Sequence, residues 1–442
     1  MHLYNTLNHR IEEIIPWNKE YITMYTCGPT VYHYAHIGNL RTYIMEDVLE
    51  KTLNYLGYNV LRCMNITDVG HLTSDADSGD DKMVNSAKKE HKTVLEIAKY
   101  YTDAFFNDCD KLNIKKPEII SNATDNIDEY IKIIQKLLDT GYAYQAGGNI
   151  YFDTSKVNNY YSLTNQEEDD LIGGVRDTVE VDSNKKNKAD FVLWFTKSKF
   201  DEQDLKWDSP FGLGYPGWHI ECSGISIKYL GEYLDIHCGG VDNIFPHHTN
   251  EIAQSESYLN HPWCKYWVHG EHLNDESGKM SKSKGDTLTV NTLIEEGYDP
   301  LSYRFMCLQS HYRRQLTFSK TTLDGALSAY KKLKSRVLSL DTNGEVDKEV
   351  FNDFNNKFKQ TLEDDLNTAN AISIFYEVLK SDTNDVTKFE LIKSFDKVLS
   401  LDLTKEERKE VNEEYINTKI KERQMAKEEK NYELADKIRN EL

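Results

Sequence analysis

The spacing of apolar residues predicts strands and helices in the front part of the chain. β-Branched and aromatic residues dominate Tyr21–Thr26 and Asn59–Ile66, which predicts two strands, and the intervening run Leu40–Leu56 has a helical pattern that Gly57 ends. This strand, helix, strand order indicates a βαβ unit and a parallel sheet. The run Tyr233–Cys238 predicts a further strand of the same sheet.

Helix-breaking residues are rare in the C-terminal third. All eight prolines occur at or before Pro300, and only Gly325 and Gly344 of the 23 glycines follow it. Apolar residues then recur at helical spacing, at Leu323, Ala326, Leu327, Tyr330, Leu333, Val337 and Leu338. We therefore predict a helical bundle, followed by a highly charged last stretch that forms one or two exposed helices.

Composition limits the class of protein. The 442 residues are 39% hydrophobic, so the chain can build a large core. No run approaches the ~18 apolar residues of a membrane span, and the N-terminal residues lack the apolar centre of a signal peptide. We therefore expect a cytoplasmic protein that does not bind membranes.

The net charge of -20 argues, taken alone, against a nucleic-acid partner. The charge is uneven, however. Residues 301–340 contain one acid, Asp324, and eight basic residues, a net of +7. We predict that this stretch is a basic track along which nucleic acid lies; its basic residues are Arg304, Arg313, Arg314, Lys320, Lys331, Lys332, Lys334 and Arg336.

Two short motifs are suited to phosphate. His36-Ile-Gly-Asn39 follows a predicted strand and opens a helix, where Gly38 admits close approach and the helix N terminus attracts an anion. Lys279-Met-Ser-Lys282-Ser places two ammonium groups over a polyphosphate. Each motif alone is also compatible with an ordinary loop, but the pair together indicates a nucleotide site.

A third group of residues is typical of a zinc site. Cys222 and the segment His247-His248-x-x-Glu251 offer a thiolate, imidazoles and a carboxylate. Pro246 predicts a helix start, after which His247 and Glu251 are at i and i+4 and His248 and Glu251 at i and i+3. Spacing alone leaves the choice of histidine open. Cys27, at the end of the first strand, is the natural second thiol.

Several longer motifs, in a fixed order, carry a family resemblance. They run from near the start of the chain to the beginning of the helical tail. The chain resembles the cysteinyl-tRNA synthetases, which are class I aminoacyl-tRNA synthetases. The matching stretches are Tyr25–Tyr32, His36–Asn39, Asn65–Asp68, Asp190–Trp194, Gly217–Cys222, Phe245–His248, Asn250–Gln254, Lys279–Ser283 and Ser310–Arg313.

The resemblance implies an α/β fold, with a Rossmann-like parallel-sheet catalytic domain that carries an insertion and precedes an α-helical anticodon-binding bundle. We place the first half of the catalytic domain at 1–120 and its second half at 196–265, separated by a connective insertion at 121–195. The remaining predicted regions are the lysine-loop region at 266–320, the bundle at 321–400 and a C-terminal helical segment at 401–442.

The resemblance also implies residue roles. Zn²⁺, one per chain, is expected on Cys27, Cys222, His247 and Glu251, where it binds the substrate thiolate. ATP with Mg²⁺ is expected to bind at His36, Gly38, Asn39 and Lys282. The expected catalytic residues, which position the phosphates and stabilise their charge, are His36, Asn39, Lys279 and Lys282. Trp218 lines the cysteine pocket, and Thr67 and Asp242 lie near the amino and carboxyl ends of the substrate.

The implied activity is ATP-dependent activation of L-cysteine to cysteinyl-adenylate, followed by transfer to the 3′ end of tRNA-Cys by a monomer. A cysteine-activating ligase with an amino-sugar acceptor is the nearest alternative, but the long helical tail argues against it. A catalytically silent RNA-binding or zinc-storage protein is a second alternative, against which the intact lysine loop and the full set of metal-ligand residues argue.

The sequence departs from the family pattern in three places. Asn39 replaces the histidine that usually ends the motif, and it cannot be protonated. Residues 69–80 form an extra run, which we predict to be a polar loop beside the site. The family usually continues past the position of Leu442 with a strand-containing segment that helps to read the anticodon, so we expect a truncated or incompletely observed chain at this end.

Overall fold

A computed structural model of the chain describes residues 1–69, 72–74, 78–90, 92–164, 182–197, 205–275, 278–279, 288–406 and 413–428, and the single residues 431, 434 and 438. It divides into two compact units, Met1–Leu403 and Thr404–Leu442. Among the described residues, no helix combines the length and the apolar character that crossing a bilayer requires.

Up to residue 270 the chain contains both strands and helices. In chain order they are β1 (His2–Asn5), β2 (Arg10–Glu13), β3 (Ile22–Thr26), α1 (Ile37–Tyr55), β4 (Val60–Ile66), β5 (Leu72–Ser74), β6 (Ser78–Asp81), α2 (Lys82–Glu90), α3 (Val94–Lys111), β7 (Ile119–Asn122), α4 (Ile127–Asp139), β8 (Ala143–Ala146), β9 (Asn149–Phe152), β10 (Phe191–Phe195), β11 (Tyr215–Pro216), α5 (Trp218–Leu230), β12 (Leu234–Gly240), α6 (Thr249–Leu259) and β13 (Cys264–Gly270).

After residue 270 helices dominate. The elements are β14 (Leu273–Asp275), β15 (Gly278–Lys279), α7 (Val290–Glu295), α8 (Pro300–Leu308), β16 (Leu316–Thr317), α9 (Lys320–Leu338), α10 (Lys348–Glu363), α11 (Thr368–Lys380), α12 (Asp385–Leu399) and, in the second unit, α13 (Glu413–Glu428).

The centre of the first unit is a five-stranded parallel sheet in the order β13-β12-β3-β4-β7. The βαβ unit predicted from the sequence is confirmed as β3-α1-β4. Neighbouring strand residues face opposite sides, as Met24 and Tyr25 do, and they pack into different hydrophobic clusters. The sheet therefore has an apolar layer on each face. The chain leaves β3 toward β4 on one side and returns as β12 on the other, so the order reverses between β3 and β12.

The inserted segment forms a second sheet. Strands β8 to β11 pair antiparallel in the order β11-β10-β9-β8. Because β7 belongs to the central sheet, the predicted division at residue 120 falls inside a strand. The inserted sheet continues to Pro216, beyond the predicted limit of 195, and the predicted limit at 265 falls inside β13. The predicted domain limits were placed at changes in composition, which mark loops, whereas the observed limits depend on which strands pair.

The described residues of the extra run at 69–80 include two short strands, where the sequence predicted a polar loop. Strands β5 and β6 pair antiparallel, with Leu72 opposite Asp81 and Ser74 opposite Ser78. They lead directly into α2. Short polar strands of this kind lack an apolar alternation, so the sequence does not distinguish them from a loop.

The helical bundle predicted for the C-terminal third is confirmed. Phe358 of α10, Phe375 of α11 and Phe395 of α12 pack together, with the rings of Phe358 and Phe395 stacked 4.1 Å apart. These rings belong to the same buried cluster as Leu49 and Leu53 of α1. The bundle is thus packed onto the helix that follows β3.

Candidate active site and metal centre

Four sequence-predicted side chains meet where the strand order of the sheet reverses. Cys27 follows β3, Cys222 lies on α5, and His247 and Glu251 flank the start of α6. One ligand atom from each lies within 4.8 Å of all the others. The two Sγ atoms are 3.9 Å apart, and His247 Nε2 is 3.0 Å from Glu251 Oε1. A reversal point at the carboxyl end of parallel strands is the common ligand position of α/β sheets.

The backbone that positions His247 and Glu251 differs from the sequence prediction. Helix α6 begins at Thr249 rather than at Pro246. Residues Ile244–His248 form a wide turn in which Phe245 is extended, with φ -136° and ψ 132°. Thr249 Oγ1 donates to the carbonyl of Ile244 over 2.7 Å and holds this turn. His247 still reaches Glu251, four residues on.

Two glycines make close approaches beside the cluster. A Cβ on Gly28 would lie 1.6 Å from the carbonyl oxygen of Asn65, so only glycine lets the chain after Cys27 pack against β4. A Cβ on Gly239 would lie 2.7 Å from His248 Cε1. These glycines allow the thiol and the imidazole to sit against the sheet ends.

A second set of ligands overlaps the first. Cys27, His237, His248 and Glu251 also place one donor atom each within 4.8 Å. Cys27 Sγ is 3.3 Å from His248 Nε2, and His237 Nε2 is 2.9 Å from Glu251 Oε2. The geometry therefore offers two donor sets that share Cys27 and Glu251, and it keeps both histidines of the sequence motif close to the thiol.

Charges in the cluster favour an ionised carboxylate and a protonated imidazole, and the imidazole must give up its proton to bind a metal. Burial opposes ionisation of Glu251, but His237 and His247 outweigh it and lower the pKa of the carboxyl to about 2. Burial also opposes a charge on His247, yet Glu251 and Cys222 raise its pKa to about 10.

The two thiols differ from each other. Burial resists ionisation of Cys222, but the hydrogen bond from Cys27 and the charge of His247 lower its pKa to about 6. Burial and the adjacent Cys222 hold the pKa of Cys27 well above its ordinary value. The buried pair is thus arranged to carry one thiolate unless a cation lies between the sulfurs.

Aromatic and polar neighbours orient His247. The Trp218 ring stacks on its imidazole, with centroids 4.1 Å apart and planes at 19°. His247 Nδ1 lies 2.9 Å from His219 Nδ1, and Gln254 Nε2 donates to the carbonyl of His219 over 2.5 Å. Such outer contacts fix the ring orientation of a ligand histidine.

The predicted substrate neighbours occupy different environments. Thr67 is buried, and its Oγ1 donates to Glu221 Oε2 over 2.8 Å, next to Cys222. Asp242 follows β12 in a short helical turn, and its carboxylate is 55% exposed and 3.4 Å from His272 Nε2. Thr67 is therefore linked to the helix that carries Cys222, whereas the Asp242 carboxylate is exposed to solvent.

The phosphate motif forms the start of α1. His36 is the N-cap residue, and its Nδ1 accepts from the backbone N–H of Asn39 over 3.1 Å. Asn39 Oδ1 accepts in return from the N–H of His36 over 3.4 Å. The two ends of the motif cap each other, and Gly38 lies in the first turn. Asn39 thus has a role in the helix end that its replacement of histidine did not suggest.

The lysine loop lies mostly outside the described residues. Lys279 ends the two-residue strand β15, which pairs with β14. Lys282 falls outside the residues that the structure describes, so its predicted role remains a prediction.

The structure corrects the basic track at 301–340. Arg304 is fully buried, and its Nη2 lies 2.6 Å from Asp47 Oδ2. Arg313 pairs with Asp365 over 2.6 Å and Lys320 with Glu296 over 2.9 Å. Lys334 is 9% exposed. Residues that remain exposed include Arg314, Lys331, Lys332 and Arg336.

Three histidines of the cluster were not assigned from the sequence. His219 supports His247, His237 contacts Glu251, and His269 Nε2 lies 2.8 Å from His248 Nδ1. Both His237, in the middle of β12, and His269, near the carboxyl end of β13, are buried. A histidine within an otherwise apolar parallel strand was the available signal.

Comparison with known proteins gives the family. Residues 13–328 match the model of the class I (C) tRNA synthetase catalytic domain, and residues 357–418 match the DALR domain. The chain is similar to cysteine–tRNA ligases from Treponema denticola (46% identical, covering 100% of this chain and 95% of that protein) and Borreliella burgdorferi (42%, covering 99% and 95%).

Solved structures agree with the fold. Two structures of Mycobacterium tuberculosis methionyl-tRNA synthetase with methionyl-adenylate match with TM-scores of 0.58 and 0.55. They are 12% and 13% identical to this chain and cover 87% and 86% of it, over 91% and 90% of their own lengths. With its catalytic model, its DALR domain and its full-length relatives, the chain belongs to the cysteine–tRNA ligase family of class I aminoacyl-tRNA synthetases.

Proposed function

We propose that the cluster of Cys27, Cys222, His247 and Glu251 is the cysteine-selecting zinc site of this ligase. The observation that carries the proposal is the convergence of two sulfurs, one imidazole nitrogen and one carboxylate oxygen within 4.8 Å. A tetrahedral zinc with bonds of 2.0–2.3 Å separates its ligand atoms by about 3.3–3.8 Å. The 3.9 Å between the two sulfurs is compatible with that size.

The donor chemistry favours this set over the overlapping one. Two thiolates and one imidazole are ligands that zinc prefers, whereas the alternative set holds one thiol. The hydrogen bond and charges that lower the pKa of Cys222 to about 6 already prepare one thiolate. The His219 contact and the Trp218 stack hold the His247 ring in place.

Zinc bound at this site would supply a Lewis acid with a strong preference for the thiolate of cysteine over the hydroxyl of serine. The remaining work falls to protein groups. Trp218 forms one wall of the pocket, and we propose that Thr67 and Asp242 contact the amino and carboxyl ends of the amino acid. The burial of Thr67 beside Cys222 supports its part.

We propose that ATP binds at the start of α1. The cap formed by His36 and Asn39 orients the first N–H groups of the helix, which attract phosphate. Lys279 and Lys282 neutralise the charge that develops when the cysteine carboxylate attacks the α-phosphate, and Mg²⁺ bound with ATP would supply further positive charge there. Lys282→Ala is expected to slow adenylate formation and to leave cysteine binding nearly unchanged.

Transfer to tRNA-Cys completes the reaction. The terminal ribose hydroxyl of the tRNA attacks the activated carbonyl and releases AMP. The helices α9–α12 pack directly on the catalytic unit, which supports binding of one tRNA along both parts of a monomeric protein. Part of the predicted basic track remains suited to contact the phosphate backbone of the tRNA, namely the exposed residues Arg314, Lys331, Lys332 and Arg336.

The test has two stages. ATP–pyrophosphate exchange should depend on cysteine and remain at background with serine, and the activated cysteine should then pass to tRNA-Cys. Exchange driven equally by serine would overturn the proposed selection. Exchange with cysteine but no charging of tRNA would overturn the proposed acceptor. Size-exclusion chromatography with light scattering measures the proposed monomer directly.

A further inference from the structure

Four aromatic residues form a shelf beside the start of α1. His33 and Tyr34 come from the loop after β3, and Tyr100 and Tyr101 come from α3. The His33 and Tyr101 rings are stacked at 6.0 Å and 9°, and the hydroxyls of Tyr34 and Tyr100 are 2.5 Å apart. Tyr101 is buried against the cluster under the shelf, whereas Tyr100 is 45% exposed and His33 is exposed.

A local basic segment adjoins this aromatic shelf. Residues 82–92 contain four lysines and one acid, Glu90, a net of +3 in a chain of net -20. Lys92 Nζ lies 4.6 Å above the centre of the Tyr100 ring. Lys88 and Lys89 are exposed at the end of α2, which leads into α3. Positive charge and exposed rings therefore occur together, against the average charge of the protein.

The aromatic shelf lies at the carboxyl edge of the sheet. The β3 loop and the segment after β4 meet there, since the N–H of Val31 donates to the carbonyl of Thr67. Tyr34 is two residues from His36, so their Cα atoms are at most about 7.6 Å apart. A chain that reaches His36 from this side passes over the shelf.

We propose that the aromatic shelf stacks unpaired bases at the 3′ end of the tRNA, while lysines of residues 82–92 contact their phosphates. This inference rests on the proposed function and extends it to a named RNA-binding surface. Aromatic faces combined with a basic groove are the usual means of holding single-stranded nucleic acid without reading its sequence. Every base has a face to stack, so such a shelf guides the acceptor end toward the carbonyl it attacks.

The test compares two substitutions at Tyr100 in the full chain. Tyr100→Leu keeps apolar volume on an exposed helix position and removes the ring face, and Tyr100→Phe keeps the face and removes the hydroxyl. We expect Tyr100→Leu to lower kcat/KM for tRNA charging about 5- to 150-fold, as loss of one stacked base does. Tyr100→Phe should stay within about threefold of wild type.

Two further measurements isolate the acceptor end. Wild-type protein should bind tRNA more weakly when the three 3′-terminal nucleotides are removed, and Tyr100→Leu should remove most of that difference. ATP–pyrophosphate exchange without tRNA should be unchanged in Tyr100→Leu. The matched control is Tyr233→Leu, since Tyr233 is 48% exposed and stacks on His261 at the amino end of β12.

Three results would overturn the inference. Equal weakening of intact and shortened tRNA would place Tyr100 elsewhere on the RNA. A raised KM for ATP would assign the shelf to the adenine base. Normal charging by folded Tyr100→Leu would show that no base stacks there. Absence of cysteine-dependent exchange in the wild type would instead refute the proposed function itself.

Discussion

Asp47 of α1 and Arg304 of α8 form an ion pair with both side chains fully buried and Nη2 2.6 Å from Oδ2. Arg304 also donates to the carbonyls of Leu112 and Leu399 over 2.9 Å and 2.7 Å. The guanidinium thus joins α1, the turn after α3 and the end of the bundle helix α12. Arg304, which the sequence predicted to face nucleic acid, instead joins the sheet domain to the helical bundle within the first unit.

Arg304→Ala is therefore expected to lower the free energy of unfolding by about 3–5 kcal/mol, because Asp47 keeps only Lys51 as a charged partner and the carbonyls of Leu112 and Leu399 lose the guanidinium. Lys331→Ala, at an exposed position of the same predicted basic track, should stay within about 0.5 kcal/mol of wild type. Urea unfolding measures both. A stable Arg304→Ala protein with a reduced salt dependence of tRNA binding would restore the original prediction for this residue.

Metal content discriminates between the two ligand sets. Purified wild type should contain about one zinc per chain, and Cys222→Ser should lose most of it along with cysteine binding. His248→Asn should keep its zinc, since His248 belongs to the overlapping set alone. Cys109→Ser, at a buried thiol of α3, is the control. Loss of zinc in His248→Asn with retention in Cys222→Ser would reverse the assignment.

A substitution at Asn39, which caps α1 together with His36, can distinguish an effect on helix stability from an effect on ATP binding. Asn39→Asp keeps an acceptor for the N–H of His36 and places a negative charge at the helix N terminus, so stability should be equal or higher by about 0.5 kcal/mol. The same carboxylate repels ATP and donates no hydrogen bond, so KM for ATP should rise about tenfold or more. Thermal unfolding and exchange kinetics give the two values. A parallel fall of stability and ATP binding would contradict this separation.

Glu46 gives a pH dependence of stability. Burial raises the pKa of its carboxyl from 4.5 to about 8 despite Arg62, whose Nη2 is 3.5 Å away. Between these values the folded state keeps a proton that the unfolded state releases. The contribution of Glu46 to the free energy of unfolding therefore falls by about 1.4 kcal/mol per pH unit and levels off above pH 8.

Glu46→Gln removes this titration and resembles the protonated acid. Its unfolding free energy relative to wild type should increase from pH 6 to pH 8, by up to about 2.7 kcal/mol. Urea unfolding at the two pH values measures the difference. A gap that is the same at both would show that Glu46 is ionised in the folded protein throughout.

The sheet and the bundle could be predicted from the sequence, because the spacing of apolar residues and the positions of proline and glycine are local signals. Tyr21–Thr26 and Leu40–Leu56 differ from β3 and α1 by only a few residues. Residue type and strand position suggested Cys27, Cys222 and Glu251 as zinc ligands, although the two cysteines are 195 residues apart, but only the family motifs favoured His247 over His248.

Burial of charge could not be read in the same way. Arg304 counted as basic in the sequence, although its neighbours in Leu301–Leu308 are mainly apolar and lie inside the core. The predicted start of α6 was wrong, because Pro246 lies in a wide turn that the spacing of apolar residues does not reveal. Asn39 was judged as a missing histidine, because its bond to the His36 backbone depends on helix geometry.

Helix α1 has a mechanical consequence for the whole enzyme. His36 caps its start, and at its other end the Tyr55 hydroxyl lies 2.7 Å from Ser394 Oγ of α12 and donates to Asn355 of α10. Its 19 residues make a rod about 27 Å long. A tilt of about 2° imposed at the bundle end would displace the proposed phosphate-binding end by about 1 Å, which is enough to change reaction rates about a hundredfold. A rigid α1 would therefore transmit strain in the bundle to the proposed nucleotide site as a change of alignment.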